Sequence, residues 1–108
     1  MIRKSTANEI DAAISVRFFE AIDYLKAADV IGGLSVFCAR YGLNRRNVMA
    51  QRRDPHRQII KTSWLAHLVE DYGISPLWLL TGEGPITVMT DEKRAKNVQR
   101  IQALLLEL

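Results

Sequence analysis

The sequence has almost no cysteine, little proline and no long apolar run. A lone cysteine, Cys38, in 108 residues excludes an internal disulfide framework and points to a reducing compartment, the cytoplasm. The prolines stand only at 55, 76 and 85, and the glycines fall in small groups, so helices separated by short turns are the simplest parse. No stretch approaches the roughly 18 apolar residues of a membrane span. Met1-Ile2-Arg3-Lys4-Ser5 leads into no apolar segment of the kind a signal peptide needs. Strand-like alternation of useful length, internal repeats and low-complexity tracts are also missing. What is present, 48% apolar and 25% charged residues, is the composition of a soluble globular domain long enough to bury a core without staples.

The residues that carry chemistry are equally sparse. His56 and His67 are eleven apart, and no second cysteine or nearby acidic pair completes a zinc-ligand spacing. Cys38 lies on an apolar helix stripe with no histidine near it in sequence, the setting of an inert buried thiol. Glu70, Asp71, Glu83, Asp91 and Glu92 form no motif for general acid–base work. Gly82-Glu83-Gly84 lacks the Lys and Ser/Thr of a phosphate loop. Trp64 and Trp78 sit on helical apolar stripes and read as core rather than as platforms for bases. The expectation is a protein that is not an enzyme and uses no cofactor, metal or small-molecule ligand.

Charge, by contrast, is strongly patterned. Residues 1–39 carry four Lys/Arg against five Asp/Glu. Residues 40–61 carry seven (Arg40, Arg45, Arg46, Arg52, Arg53, Arg57, Lys61) against Asp54 alone, a net of +6. Residues 62–92 hold five acids and no Lys or Arg, and the last sixteen carry four cations against one acid. A dense basic block between near-neutral and acidic neighbours is the electrostatic footprint of a phosphate-binding face.

Apolar periodicity supplies the helices. Ile14, Phe18, Ile22 and Leu25 mark a first helix that Gly32-Gly33 ends, with residues 1–13 a flexible N-terminal segment. Leu34, Phe37 and Tyr41 mark a short second helix that Gly42 terminates. Asn44 is an N-cap for a third, running toward Pro55. Trp64, Leu65, Leu68, Val69 and Tyr72 mark a fourth, capped by Thr62 or Ser63 and closed by Gly73. Ser75-Pro76 reads as cap and first residue of a fifth, stopped at Gly82. Thr90-Asp91-Glu92 opens a last helix within 87–108.

The window LSVFCARYGLNRRNVMAQRR, Leu34 to Arg53, meets the demands of a helix-turn-helix. Such a motif needs a small residue where two short helices nearly touch, here Cys38, and a glycine at the turn, here Gly42. Phe37, Tyr41, Leu43 and Val48 take inward positions, and Arg45, Arg46, Met49 and Arg53 face outward.

This segment resembles the helix-turn-helix of lambda-repressor-like proteins. The resemblance extends to Tyr72-Gly73-Ile74-Ser75-Pro76-Leu77-Trp78-Leu79-Leu80-Thr81-Gly82-Glu83-Gly84-Pro85, which looks like the ending of phage-repressor-type DNA-binding domains. It covers about residues 14–86. It implies an all-α, compact five-helix domain whose third helix, about 44–53, enters the major groove of double-stranded DNA, in a sequence-specific transcriptional regulator. Asn44, Arg45, Arg46 and Asn47 would then read base edges, with Met49 beside them, since Arg pairs with guanine and Asn with adenine. Arg52, Arg53 and Arg57 would meet phosphates. Two positions depart from the family pattern. Cys38 replaces the commoner alanine, and Gln51 stands where a second apolar anchor is usual, which predicts a less firmly seated third helix.

Beyond residue 86 the stripe Val98, Ile101, Leu105, Leu108, widened by Leu104, has the 3-4-3 spacing of a helical seam. Following a domain already complete, it is expected to dimerise the protein rather than fold back on the core, giving a homodimer with paired recognition helices. The competing reading is a helical protein-interaction module, an adaptor or antitoxin-like partner, that does not read DNA. Arginines at groove-facing positions separate the two, because an adaptor has no need of them.

Overall fold

Thr6 opens the first helix. Its hydroxyl accepts the Glu9 N–H at 3.2 Å, and Glu9 lies in the first turn, where the helix dipole favours an acid. The computed structural model describes residues 6–88. It is all-α, with helices α1 (Ala7–Ala27), α2 (Leu34–Tyr41), α3 (Arg45–Arg53), α4 (Thr62–Tyr72) and α5 (Pro76–Thr81). The expected helix beyond residue 88 lies outside the described residues. None of the described helices is long and apolar enough to cross a membrane.

α1 departs from the sequence reading at both ends. It starts seven residues ahead of Ile14, so residues 7–13 are helical rather than part of a flexible segment. The pattern Thr6-x-x-Glu9 was the signal. It also stops before the two glycines. Asp29 takes φ 61, its N–H donates to Lys26 O at 3.0 Å, and the Val30 N–H donates to Leu25 O at 2.9 Å. These are the paired bonds of a left-handed C-terminal cap, a conformation Asp tolerates better than most side chains. Gly33, at φ 115, caps the start of α2 instead.

The described chain falls into two units that divide between Lys61 and Thr62. In the first, α3 packs against α1 and α2. Phe18, Ile22, Leu25, Phe37 and Val48 are at most 1% exposed, each contributing about 1.5–3 kcal/mol by leaving water. Phe18 meets Phe37 edge-on at 5.7 Å between centroids, and Phe37 meets Tyr41 at 4.8 Å. Ser15, not Ile14, completes the inward face of α1: Ser15 is fully buried and Ile14 only half-buried.

In the second unit Trp64, Leu68, Tyr72, Ile74 and Leu79 are buried, and Trp78 is half-buried. Thr62 is the first residue of α4 rather than its cap. α5 follows its sequence signals closely. The Ser75 hydroxyl accepts the Trp78 N–H at 3.2 Å, Pro76 is the first helical residue and Gly82 closes the helix at φ 79. An isolated antiparallel bridge joins Ile74 to Thr87, with Ser75 N–H donating to Ile86 O at 2.8 Å and Val88 N–H to Gly73 O at 3.1 Å. The segment after Pro85 is thereby pinned beside the turn between α4 and α5.

Candidate nucleic-acid interface

Three residues, Gly42, Leu43 and Asn44, separate α2 from α3. Gly42 has φ 66, and a Cβ added to it would meet nothing within 4 Å, so the backbone conformation alone asks for glycine. The N–H groups of Gly42 and Leu43 both donate to Cys38 O, satisfying carbonyl capacity at the end of α2. Asn44 Oδ1 accepts the Asn47 N–H at 3.1 Å and opens α3. Cys38, beside this turn, is buried. Burial pushes its thiol above the ordinary range, partly opposed by the Arg45 charge. A protonated, enclosed thiol is a poor nucleophile.

Gln51 reverses the expectation of a loosely seated third helix. It is fully buried, as is Val48, the other inward residue of α3. Its Oε1 accepts the N–H groups of Ile59 and Ile60, both at 2.9 Å. Its Nε2 donates to Ser15 Oγ at 2.9 Å and to Pro55 O at 3.3 Å. Every donor and acceptor site of the amide is used. One side chain therefore ties α3 to α1 and to the loop that follows, a role an apolar anchor lacks. Nothing in the sequence marked Ser15 as its partner, 36 residues away.

That seating fixes what α3 shows to solvent. Opposite Val48 and Gln51 lie Arg46, Met49, Ala50 and Arg53, spaced i, i+3, i+4, i+7 along one side. Arg46 and Arg53 are exposed and make no hydrogen bond or ion pair among the described residues, while Met49 and Ala50 are half-buried. Arg45 and Asn47 are exposed on the flanks, and Asn44 is exposed but spends its oxygen on the cap. Ala50 was missed by the sequence reading, although its i+4 spacing from Arg46 puts it at the centre of this side. Arg45 and Arg46 occupy the first turn of α3, which holds no acid. Cations there oppose the helix dipole, at a cost of about 0.3–1 kcal/mol each. A residue pair that works against its own helix is a sign of selection for something other than stability.

The remaining arginines differ. Arg52 Nη2 pairs with Asp23 Oδ2 of α1 at 2.8 Å, and its guanidinium lies 5.5 Å from the Phe19 ring centroid. It is engaged within the fold and set apart from the outward side. Arg57 approaches Asp54 at 3.9 Å and stays exposed. The loop carrying it is held by Asp54, which accepts the His56 N–H, and by Gln58, which donates to Asn8 at 3.1 Å. The expected dimerisation residues Val98, Ile101, Leu104, Leu105 and Leu108 lie outside the described residues. No group of His, Cys, Asp and Glu suited to a metal ion occurs among the described residues.

Comparison with known protein families, curated proteins and solved structures found no match to the chain.

Proposed function

We propose that the protein is a sequence-specific double-stranded DNA-binding regulator of phage-repressor type, with α2 and α3 as its helix-turn-helix and α3 as the recognition helix. The observation that carries this reading is the outward side of α3. Exposed arginines stand there and on its flank with no acid paired to them among the described residues, on a helix whose inward side is locked by a fully bonded amide. In the groove, Arg45, Arg46 and Asn47 face base edges, while Ala50 lets the helix approach closely and offers a methyl to thymine. Met49 lies between them. Arg53 and Arg57 take phosphates, and Arg52 acts through Asp23 to hold α3 on α1. The protein acts as a homodimer, so its site is a pseudo-palindrome with half-sites about 34–36 Å apart.

Selection of bound fragments from random duplex DNA, followed by fluorescence anisotropy, tests the proposal. Arg45→Ala with Arg46→Ala should erase the preference for the selected site over a scrambled duplex, since a good bidentate contact is worth about 1–3 kcal/mol. Far-UV circular dichroism should stay unchanged, because both side chains are exposed. Unchanged preference in the double variant refutes the assignment of α3. An affinity indifferent to salt is what a protein-interaction module would give, and it would refute DNA binding altogether.

A further inference from the structure

α4 is apolar on two sides. Trp64, Leu68 and Tyr72 are buried, while Thr62, Leu65, Ala66 and Val69 recur at i, i+3, i+4, i+7 on another side. With Pro76, Leu79 and Leu80 of α5, these four line an open groove of about 210 Å³. Leu80 is 48% exposed, and the adjoining Leu77 is 54% exposed. Leu65, Ala66 and Val69 are only half-buried, and a partly solvated helix side ordinarily carries polar groups, so this apolar one is suited to being covered.

We propose that the groove receives the C-terminal stretch of a second copy of the chain, with Val98, Ile101, Leu105 and Leu108 seated against α4 and α5. The inference rests on the homodimer reading and names the surface that the C-terminal stripe meets. Charge favours this occupant. Residues 62–88 hold Glu70, Asp71 and Glu83 with no Lys or Arg, and Glu70 lies at the groove. Residues 93–100 carry Lys93, Arg94, Lys96 and Arg100 with no acid. Opposite charges around an apolar seat fix partner and register.

Geometry favours a second copy over the chain's own tail. Val88 is pinned to Gly73, at the end of α4, and the next helix signal, Thr90-Asp91-Glu92, comes at once. At 1.5 Å per residue, a helix from Asp91 carries Leu105 and Leu108 roughly 21–26 Å from its start, whereas α4 back to Thr62 spans only about 16 Å. Laid on its own groove, such a helix keeps Val98 and Ile101 beside α4 but carries Leu105 and Leu108 past its end. A second copy slides freely and brings all four residues to the seat, and two copies do so reciprocally, as a two-fold interface requires.

Maleimide crosslinking of the full chain tests this, in a Cys38→Ser background. A tagged Ala66→Cys chain is mixed with an untagged Leu104→Cys chain, which keeps the four stripe residues. Thr62→Cys serves as a second groove position and Ser35→Cys as an exposed control. The expected result is a tagged–untagged product forming at least roughly tenfold faster than with the control, since docking holds the thiols at high effective concentration. Three results overturn the proposal: an untagged–untagged product alone, meaning tail against tail; a within-chain link alone when Ala66→Cys and Leu104→Cys share one diluted chain; or reaction at the control rate throughout. Sedimentation equilibrium on the unsubstituted protein separates the readings. A dimer without the mixed product removes only the groove. A monomer removes the groove and the homodimer together, and neither outcome touches DNA binding, which anisotropy measures separately.

Discussion

Gln51→Leu places two views of α3 in direct opposition. If the inward side of a recognition helix simply wants apolar anchors, leucine at 51 should improve the core. In the structure the amide accepts two backbone N–H groups and donates to Ser15 Oγ and Pro55 O. Leucine has nearly the same bulk, so cavity and crowding effects are small, and the hydrogen bonds dominate the outcome. The Ser15 hydroxyl can turn to a carbonyl of its own helix, and Pro55 O can take water, so neither loss is large. The part-buried Ile59 and Ile60 N–H groups both lose their acceptor, and a buried donor left without a partner costs about 1–3 kcal/mol. Two of them, set against roughly 1 kcal/mol gained from the more apolar side chain, leave a net loss of about 1–5 kcal/mol. That is a large part of the 5–15 kcal/mol on which a domain rests. Urea unfolding followed by circular dichroism should show a lower midpoint with little change in slope. Accelerated hydrogen exchange at Ile59 and Ile60 would locate the damage. A variant as stable as the parent, or more stable, refutes the view that the amide network seats α3.

Gly42→Ala should cost about 1–2 kcal/mol, from backbone strain alone, because φ is 66 and the space beyond its Cβ is empty. Gly42→Asn should recover much of that loss in the same melt, and equal losses in both variants would point to a contact instead of a dihedral. Arg52→Ala and Arg53→Ala should behave differently although the residues are adjacent. Removing Arg52 loses the exposed Asp23 pair and the Phe19 contact, lowering stability by about 1 kcal/mol or less. Removing Arg53 should leave the melt unchanged, weaken binding to all duplexes alike and flatten the salt dependence by about one. Equal effects on the salt slope would contradict the division of roles.

The signals legible in the sequence are those whose cause lies within a few residues. Gly42 ends α2 and Asn44 opens α3 because a left-handed dihedral and a side-chain cap are local events. Ser75-Pro76 and Gly82 bound α5 for the same reason. Five helices and their order followed from such punctuation and from apolar spacing. The exposure of Arg45, Arg46 and Arg53 also agrees with the pattern, since charge on a short helix has nowhere else to go. Where a residue's role depends on a partner far along the chain, only the tertiary structure decided it. Gln51 read as a flaw in an apolar stripe until Ser15, 36 residues away, and the returning loop filled its hydrogen bonds. Arg52 read as a phosphate ligand, and its exposed ion pair with Asp23, 29 residues away, had no signal in the sequence. Ile74 and Thr87 form their bridge across the whole of α5. Propensity and periodicity describe one segment at a time, whereas a buried polar group is stable only in the company of partners that folding brings to it.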